Sequence, residues 1–176
     1  MTLKELVLRC KKNDRKAQRK LFEILIHEAM NVSRRYLKNF ESANDATAVG
    51  FTKVFENIQR HEFINERSFK SWVFKIIVNE CLMTIRREKA NLFSSLEEYT
   101  EYPQDAHESD IDHEYILEAI DELPDGFRLI FNLYAIEGYS HKEIADKLQI
   151  SESTSRSQFY HAKKKLQDKL RTSYGI

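Results

Sequence analysis

The chain has 176 residues, 41% of them hydrophobic, which is enough for one domain or two small ones with real cores. Only four Gly and two Pro interrupt it, which argues against a turn-rich β protein and favours an all-helical one. The formal net charge of zero conceals three blocks: residues 1–93 carry 19 Lys/Arg against 11 Asp/Glu, residues 94–126 carry no Lys/Arg and 12 Asp/Glu, and residues 127–176 carry nine against five.

Two basic blocks separated by an acidic one are the pattern of two surfaces that meet polyanions; a solvated charged face is the plainer reading. Cys10 and Cys81 have no C-x-x-C spacing, so no disulfide framework is expected and a reducing compartment fits. The first residues hold no apolar stretch of signal-peptide length, and no run approaches the ~20 apolar residues of a membrane span. A soluble, cytoplasmic protein without membrane insertion is expected.

From Leu3 to Asn39 apolar residues recur at helical spacing, with Leu21, Phe22, Leu25 and Ile26 as one cluster. A second helix is predicted over Ala43 to Gln59, with Val49, Phe51, Val54, Phe55 and Ile58 inward. Gly50 sits inside it at a cost of ~1 kcal/mol relative to Ala. A polar loop at 60–67 precedes a third helix over Ser68 to Lys89, with Ser68 as its N-cap and Trp72, Val73, Ile76, Ile77, Leu82 and Ile85 on the apolar face. Residues 94–114 are acidic and poor in large aliphatic side chains, and read as a flexible linker. These boundaries give two helical domains, 1–93 and 115–176, joined by the linker.

Beyond the linker a helix is predicted over Tyr115 to Leu123, stopped by Pro124 and Gly126, and another over Phe127 to Ile136, ended near Gly138. Two helices then follow in close succession. Ser140 and Glu143 form an S-x-x-E capping box for the first, which runs to Leu148. Gln149-Ile150 makes the turn, and Ser151 caps the second helix, which continues to about Arg171. Ile144, Ala145, Leu148, Ile150, Phe159, Ala162 and Leu166 pack this pair as a helix-turn-helix. The opposite face of the second helix carries Ser153, Thr154, Arg156, Ser157, Gln158, Tyr160, His161, Lys163 and Lys164. Arg forks onto guanine edges and Gln onto adenine, while hydroxyls and lysines suit phosphates. Such a recognition helix enters the major groove with its N-terminal half. A helical hairpin with a solvated basic face is the plainer alternative.

The stretch from Leu123-Pro124 through Arg128, Phe131, Gly138-Tyr139-Ser140, Glu143-Ile144-Ala145, Leu148, Ile150-Ser151, Thr154 and Ala162-Lys163 resembles the promoter-binding domain of extracytoplasmic-function sigma factors. Residues 20–90 resemble the same family's other domain. Arg35-Tyr36, Asn39, the run Gly50 to Ile58, the run Phe69 to Asn79, and Arg86-Arg87 carry that likeness. The resemblance implies a non-catalytic protein that binds core RNA polymerase and promoter DNA, with an anti-sigma factor as a further partner and no cofactor or metal. It implies −35 recognition by the second helix of the helix-turn-helix. It implies −10 recognition by Phe69, Trp72, Lys75, Asn79, Arg86 and Arg87, where aromatic planes beside positive charge suit unstacked bases. Polymerase binding falls to Asp45, Phe51, Lys53 and Asn57. The chain departs from the family in having Thr47-Ala48-Val49 where a Leu, an amide and a carboxylate are usual, Met83 for Asp, and Gln149 and Ser153 for Gly. A stand-alone helix-turn-helix regulator is the alternative. An enzyme is disfavoured: there is no Gly-rich phosphate loop, no H-E-x-x-H and no nucleophile setting around either cysteine.

The connector either lies against the basic domains in the free protein or acts as an extended spacer, since a coil of its length reaches roughly 25 Å. Replacing Glu97, Glu98, Glu101, Asp105, Glu108 and Asp110 with their amides distinguishes the two. If the connector masks the DNA-binding faces, the neutralised protein binds DNA more tightly at low salt and expands in small-angle scattering. Tighter binding at unchanged compactness identifies the spacer.

Overall fold

The computed structural model describes residues 2–88 and 113–174, all helix and connecting turns. The chain divides into two compact units between Glu88 and Lys89. The acidic connector lies outside the described residues up to position 112.

In the first unit, α1 (Leu3–Cys10) starts at a capping box formed by Thr2 and Glu5. The single apolar stripe expected from Leu3 to Asn39 is broken at 11–14. Asn13 takes the left-handed conformation at φ 58°, and Asp14 then caps α2 (Arg15–Tyr36) by accepting from the Lys16 and Ala17 amides. Arg9 holds the same carboxylate at 2.6 Å. These bonds, the Arg9 bond foremost, keep the Asp14 carboxyl below its usual range. Asn39 caps α3 (Phe40–Asn57), three residues earlier than the apolar pattern suggested. The cap of α4 (Glu66–Glu88) is Asn65 rather than Ser68: Asn65 Oδ1 accepts from the Ser68 amide at 2.8 Å.

The helices α2, α3 and α4 pack against one another, and α1 packs on α2. Leu21, Leu25, Val54, Ile58, Phe69, Val73 and Ile77 are buried among them. Thr47, one of the family departures, faces this interior. Its hydroxyl donates to the Ala43 carbonyl at 2.7 Å and lies 2.7 Å from Ser33 Oγ, so two buried hydroxyls satisfy each other across α2 and α3. Val49, expected inward, is 46% exposed, because it follows Thr47 by two positions and a helix turns about 100° per residue. The Cys10 and Cys81 thiols are free and buried, and burial pushes both up to about 11.

In the second unit, α5 (His113–Asp121) and α6 (Asp125–Phe131) contact the last helix, α8 (Glu152–Tyr174). Ala119, Ile120, Leu123, Ala162 and Leu166 form a core with Ile116, Phe127 and Phe131 against it. Arg128, almost fully buried, is neutralised by Asp125 at 2.9 Å. The helix expected over Phe127–Ile136 begins at Asp125 and finishes in a π-helical segment, Asn132–Ile136. Gly138, at φ 76°, turns the chain out of it. The capping box Ser140/Glu143 opens α7 (His141–Leu148) as expected. The chain leaves α7 through Gln149 at φ 58°, ψ 45°. The left-handed turn that glycine usually serves is kept here at some strain, with the Gln149 amide donating to the Asp146 carbonyl at 2.9 Å. Ser151 Oγ accepts from the Thr154 amide at 3.0 Å and starts α8.

Gly50 marks a close approach of α3 to α4. A Cβ there would lie 2.8 Å from Ile77 Cγ1 and 3.2 Å from Ile77 Cα. Alanine improves helix propensity by ~1 kcal/mol, but overpacking against backbone costs ~1–3 kcal/mol. Gly50→Ala is therefore expected to lower the urea midpoint of the first unit with an unchanged denaturant slope. A raised midpoint would show that the helices separate freely.

Candidate nucleic-acid interface

The recognition helix α8 shows two opposed stripes at spacings of three and four. Ser155, Gln158, Ala162 and Leu166 are buried, whereas Ser153, Arg156 and Lys164 are exposed and Tyr160 half-buried on the opposite side. Of the residues expected to face DNA, Ser153, Thr154, Arg156, Tyr160, His161 and Lys164 keep solvent access. Ser157 and Gln158 do not: each is 1% exposed. Gln158 falls on the packed stripe, three residues after Ser155, and the short Ser157 side chain is covered at its edge. Neither the Ser157 Oγ nor the Gln158 Oε1 has a hydrogen-bond partner, so their polarity serves the interior poorly. The exposed side chains are organised locally. Ser151 Oγ lies 2.7 Å from Ser153 Oγ and 2.8 Å from Thr154 Oγ1. Arg156 pairs with Glu152 one turn earlier, an exposed ion pair of small energy that opens readily.

Beside this start of α8 lies an open cleft of about 540 Å³, lined by Tyr134, Tyr139, Ser140, His141, Glu152 and Arg156 among others. His141 is buried, with Nδ1 2.9 Å from Ser155 Oγ. Its ring stacks on Tyr134 at 4.3 Å and meets Phe159 edge-on at 5.8 Å. Burial first, and then the Arg156 charge, lowers its pKa below the ordinary histidine value; Glu152 acts the other way. Neither His141 nor Tyr134 was singled out from the sequence. They are seven positions apart on different elements, and no local pattern announces that they meet.

In the first unit, α4 repeats the arrangement. Trp72, Lys75, Asn79, Met83 and Arg86 follow one another by three or four positions; Trp72 is half-buried and the rest are exposed, as is Arg87 beside Arg86. Phe69 is the exception among the expected base contacts: it is fully buried, with Phe63 at 5.8 Å and Trp72 at 5.7 Å between ring centroids. Its part is to support Trp72 from within. One face of the indole is occupied as well, since His61 stacks on Trp72 at 4.2 Å and 12°. Lys70 pairs with Glu28 at 2.6 Å.

The expected polymerase contacts separate in the same way. Asp45 and Asn57 are exposed, and the Asn57 amide donates to the Lys53 carbonyl at 2.8 Å. Phe51 is core, 2% exposed and edge-on to Phe22 at 4.8 Å. Lys53 reaches across to the largely buried Glu80 carboxylate at 2.6 Å. The exposed stripe of α3 is Asp45, Ala48, Val49, Thr52 and Glu56, opposite Phe51 and Val54, which the apolar periodicity already turns inward.

Comparison with known proteins assigns the two units. Residues 21–91 match sigma-70 region 2, and residues 113–166 match sigma-70 region 4. Together the matches span more than two thirds of the chain. The ECF RNA polymerase sigma factor SigE of Mycolicibacterium smegmatis is 31% identical over 139 residues, covering 75% of this chain and 53% of its own. The chain thus spans about half the length of that relative. The ECF RNA polymerase sigma-E factor of Haemophilus influenzae is 25% identical over 187 residues, covering 97% of this chain and 96% of its own. Among solved structures, CnrH in complex with the cytosolic domain of CnrY shares the fold, with a TM-score of 0.52, 17% identity, and coverage of 95% of this chain and 96% of that one. Both sigma-70 regions in a single chain define a transcription initiation factor, a class without catalytic activity, and disfavour a stand-alone regulator. The chain belongs to the sigma-70 family of RNA polymerase sigma factors, and the two relatives just named are of its extracytoplasmic-function group.

Trp72 is the single tryptophan, so its emission reports on the imidazole stacked against it. Burial, with Lys11 adding to it and Glu62 opposing, lowers the His61 pKa. Because a protonated imidazole quenches a stacked indole, Trp72 fluorescence is expected to fall on acidification with a midpoint below about 6.5. His61→Gln should abolish that transition; its persistence would place the quencher elsewhere.

Proposed function

We propose that this sigma factor directs core RNA polymerase to its promoters by reading the −35 element with Ser153, Thr154, Arg156, Tyr160, His161 and Lys164 of α8, and the −10 element with Trp72, Lys75, Asn79, Arg86 and Arg87 of α4. The observation that carries this reading is the same in both units. The long helix turns one stripe into the core and presents the opposite stripe, polar and basic, to solvent. Arg156, near the start of α8, suits the guanine fork in a major groove, and Lys164, two turns on, suits a phosphate. On α4, Trp72 offers a plane to an unstacked base once His61 moves aside, with Lys75, Arg86 and Arg87 for the backbone. The outer face of α3, led by Asp45 with Val49 and Asn57, is the polymerase-binding surface, to which Lys53 contributes by its ion pair with Glu80. An anti-sigma factor completes the set of partners. No helix among the described residues is long and apolar enough to cross a membrane, in keeping with action on cytoplasmic polymerase.

Mixing the chain with core polymerase and a promoter library tests the whole reading. Promoter-selective transcripts that require both components are expected, and DNA binding without any dependence on polymerase would favour the regulator. Within the −35 assignment, Arg156→Ala should cost about 1–3 kcal/mol at one base position and relax preference there. Lys164→Ala should weaken all sequences alike and reduce the salt slope by about one unit. Uniform weakening by Arg156→Ala would reassign Arg156 to phosphate.

A further inference from the structure

Resting on the −35 reading above, we infer that His141 is the positioning residue of the recognition helix: its neutral ring, clamped between Tyr134 and Ser155, sets how α8 is presented to DNA, and makes sequence discrimination depend on that ring remaining unprotonated. His141 is buried rather than part of the exposed stripe of α8. It acts through Ser155, the neighbour of Arg156 in the chain and a residue of the packed stripe.

The geometry supplies each part of this. His141 is the first residue of α7 and is buried. Its ring is held on one face by Tyr134 of the π-helical segment, at 4.3 Å and 14°, and at its edge by Phe159 of α8. Its Nδ1 is 2.9 Å from Ser155 Oγ, the hydroxyl of a residue with no solvent exposure. One imidazole therefore ties three elements together: the π-helical segment, the start of α7 and the first turn of α8. In the neutral ring, Nδ1 accepts the Ser155 hydroxyl hydrogen in one tautomer and donates to the Ser155 oxygen in the other. Protonation leaves Nδ1 a donor only and puts a charge into the buried contact with Tyr134, Phe159 and Ser155.

The charged groups around the ring decide how readily that happens. Within α7, Lys142 opposes a second positive charge and Glu143 favours one, although Glu143 is already committed to the Ser140 cap. From α8, Arg156 opposes it and Glu152 favours it, the two being paired with each other. The π-helical segment presents the uncharged Tyr134 ring. The N-terminal end of α7 is the positive end of its dipole and also opposes protonation. Burial and Arg156 prevail, and the folded protein favours the neutral ring. A group of this kind contributes stability that is present in full above its ordinary value near 6.5, and is lost as pH falls through its lower folded value.

A histidine that touched phosphate would behave in the opposite way, binding DNA more tightly in acid. The test exploits this difference in sign. Affinities of the full chain for a duplex carrying its mapped −35 sequence and for a scrambled duplex are measured from pH 8 to pH 5.5 at constant ionic strength, for wild type and for His141→Asn. Asparagine offers an amide near the Nδ1 position and does not titrate. The remaining histidines are common to both proteins and cancel. The wild-type ratio of specific to scrambled affinity is expected to fall in acid relative to the variant, by at most about tenfold per pH unit for one proton. Parallel profiles, or a wild-type ratio that rises in acid, overturn the inference. Should His141→Asn lose its helical structure, the imidazole of wild type is titrated by NMR in free and DNA-bound chain. A lower midpoint in the complex supports the inference, and an equal or higher one overturns it. Loss of promoter-selective transcription with core polymerase at every pH would instead defeat the sigma-factor reading itself, so the two failures are distinguishable.

Discussion

In each unit one long helix must satisfy two demands at once, because residues three and four apart share a face and those five or so apart do not. The side of α8 that carries Ser155, Gln158, Ala162 and Leu166 is committed to the interior, so only the residues between them remain exposed to a partner. The side of α4 that carries Phe69, Val73, Ile77 and Cys81 is committed likewise. Neither exposed face can be altered without regard to the core directly behind it. This is why Phe69, aromatic and beside Trp72, is core rather than surface.

Several of the polar groups that the fold buries are placed where two helices must keep a fixed relation. Ser33 and Thr47 link α2 to α3, Lys53 and Glu80 link α3 to α4, and His141 and Ser155 link α7 to α8. Apolar contact is tolerant of sliding, whereas a buried hydrogen bond is lost within a fraction of an ångström. The family departure at Thr47 belongs with this set. It adds an internal bond between helices, while Ala48 and Val49 next to it change the exposed face of α3. Departures at adjacent positions therefore act on different properties, one on packing and two on the surface offered to a partner.

The helices, their caps at Ser140 and Ser151, and the helix-turn-helix were legible in the sequence because periodicity and capping are local: each is decided within a turn or two of chain. The sigma-factor resemblance was legible for a similar reason, since its motifs are short runs that survive without knowledge of their neighbours. Phe69, Ser157 and Gln158 lie on helices that were assigned correctly, but sequence alone does not say which neighbouring segment covers a given side of a helix; Phe51 faces inward as its periodicity indicates, which takes it out of the expected polymerase contacts. The break at Asn13 and the cap at Asn65 were missed because an Asn signals a turn only weakly until its backbone conformation or its bond is seen.

What the sequence by itself determined is the all-helical class, the order of the helices beyond the first break at 11–14, and the charge that marks the chain for polyanions. Only the tertiary structure decided that Gly50 is needed for contact with Ile77, that His61 covers Trp72, and that Tyr134, His141 and Ser155 converge beside Arg156. The physical reason is that a helix carries its own hydrogen bonds and declares itself locally, while a site at the junction of helices exists only once their packing has chosen which side chains face each other.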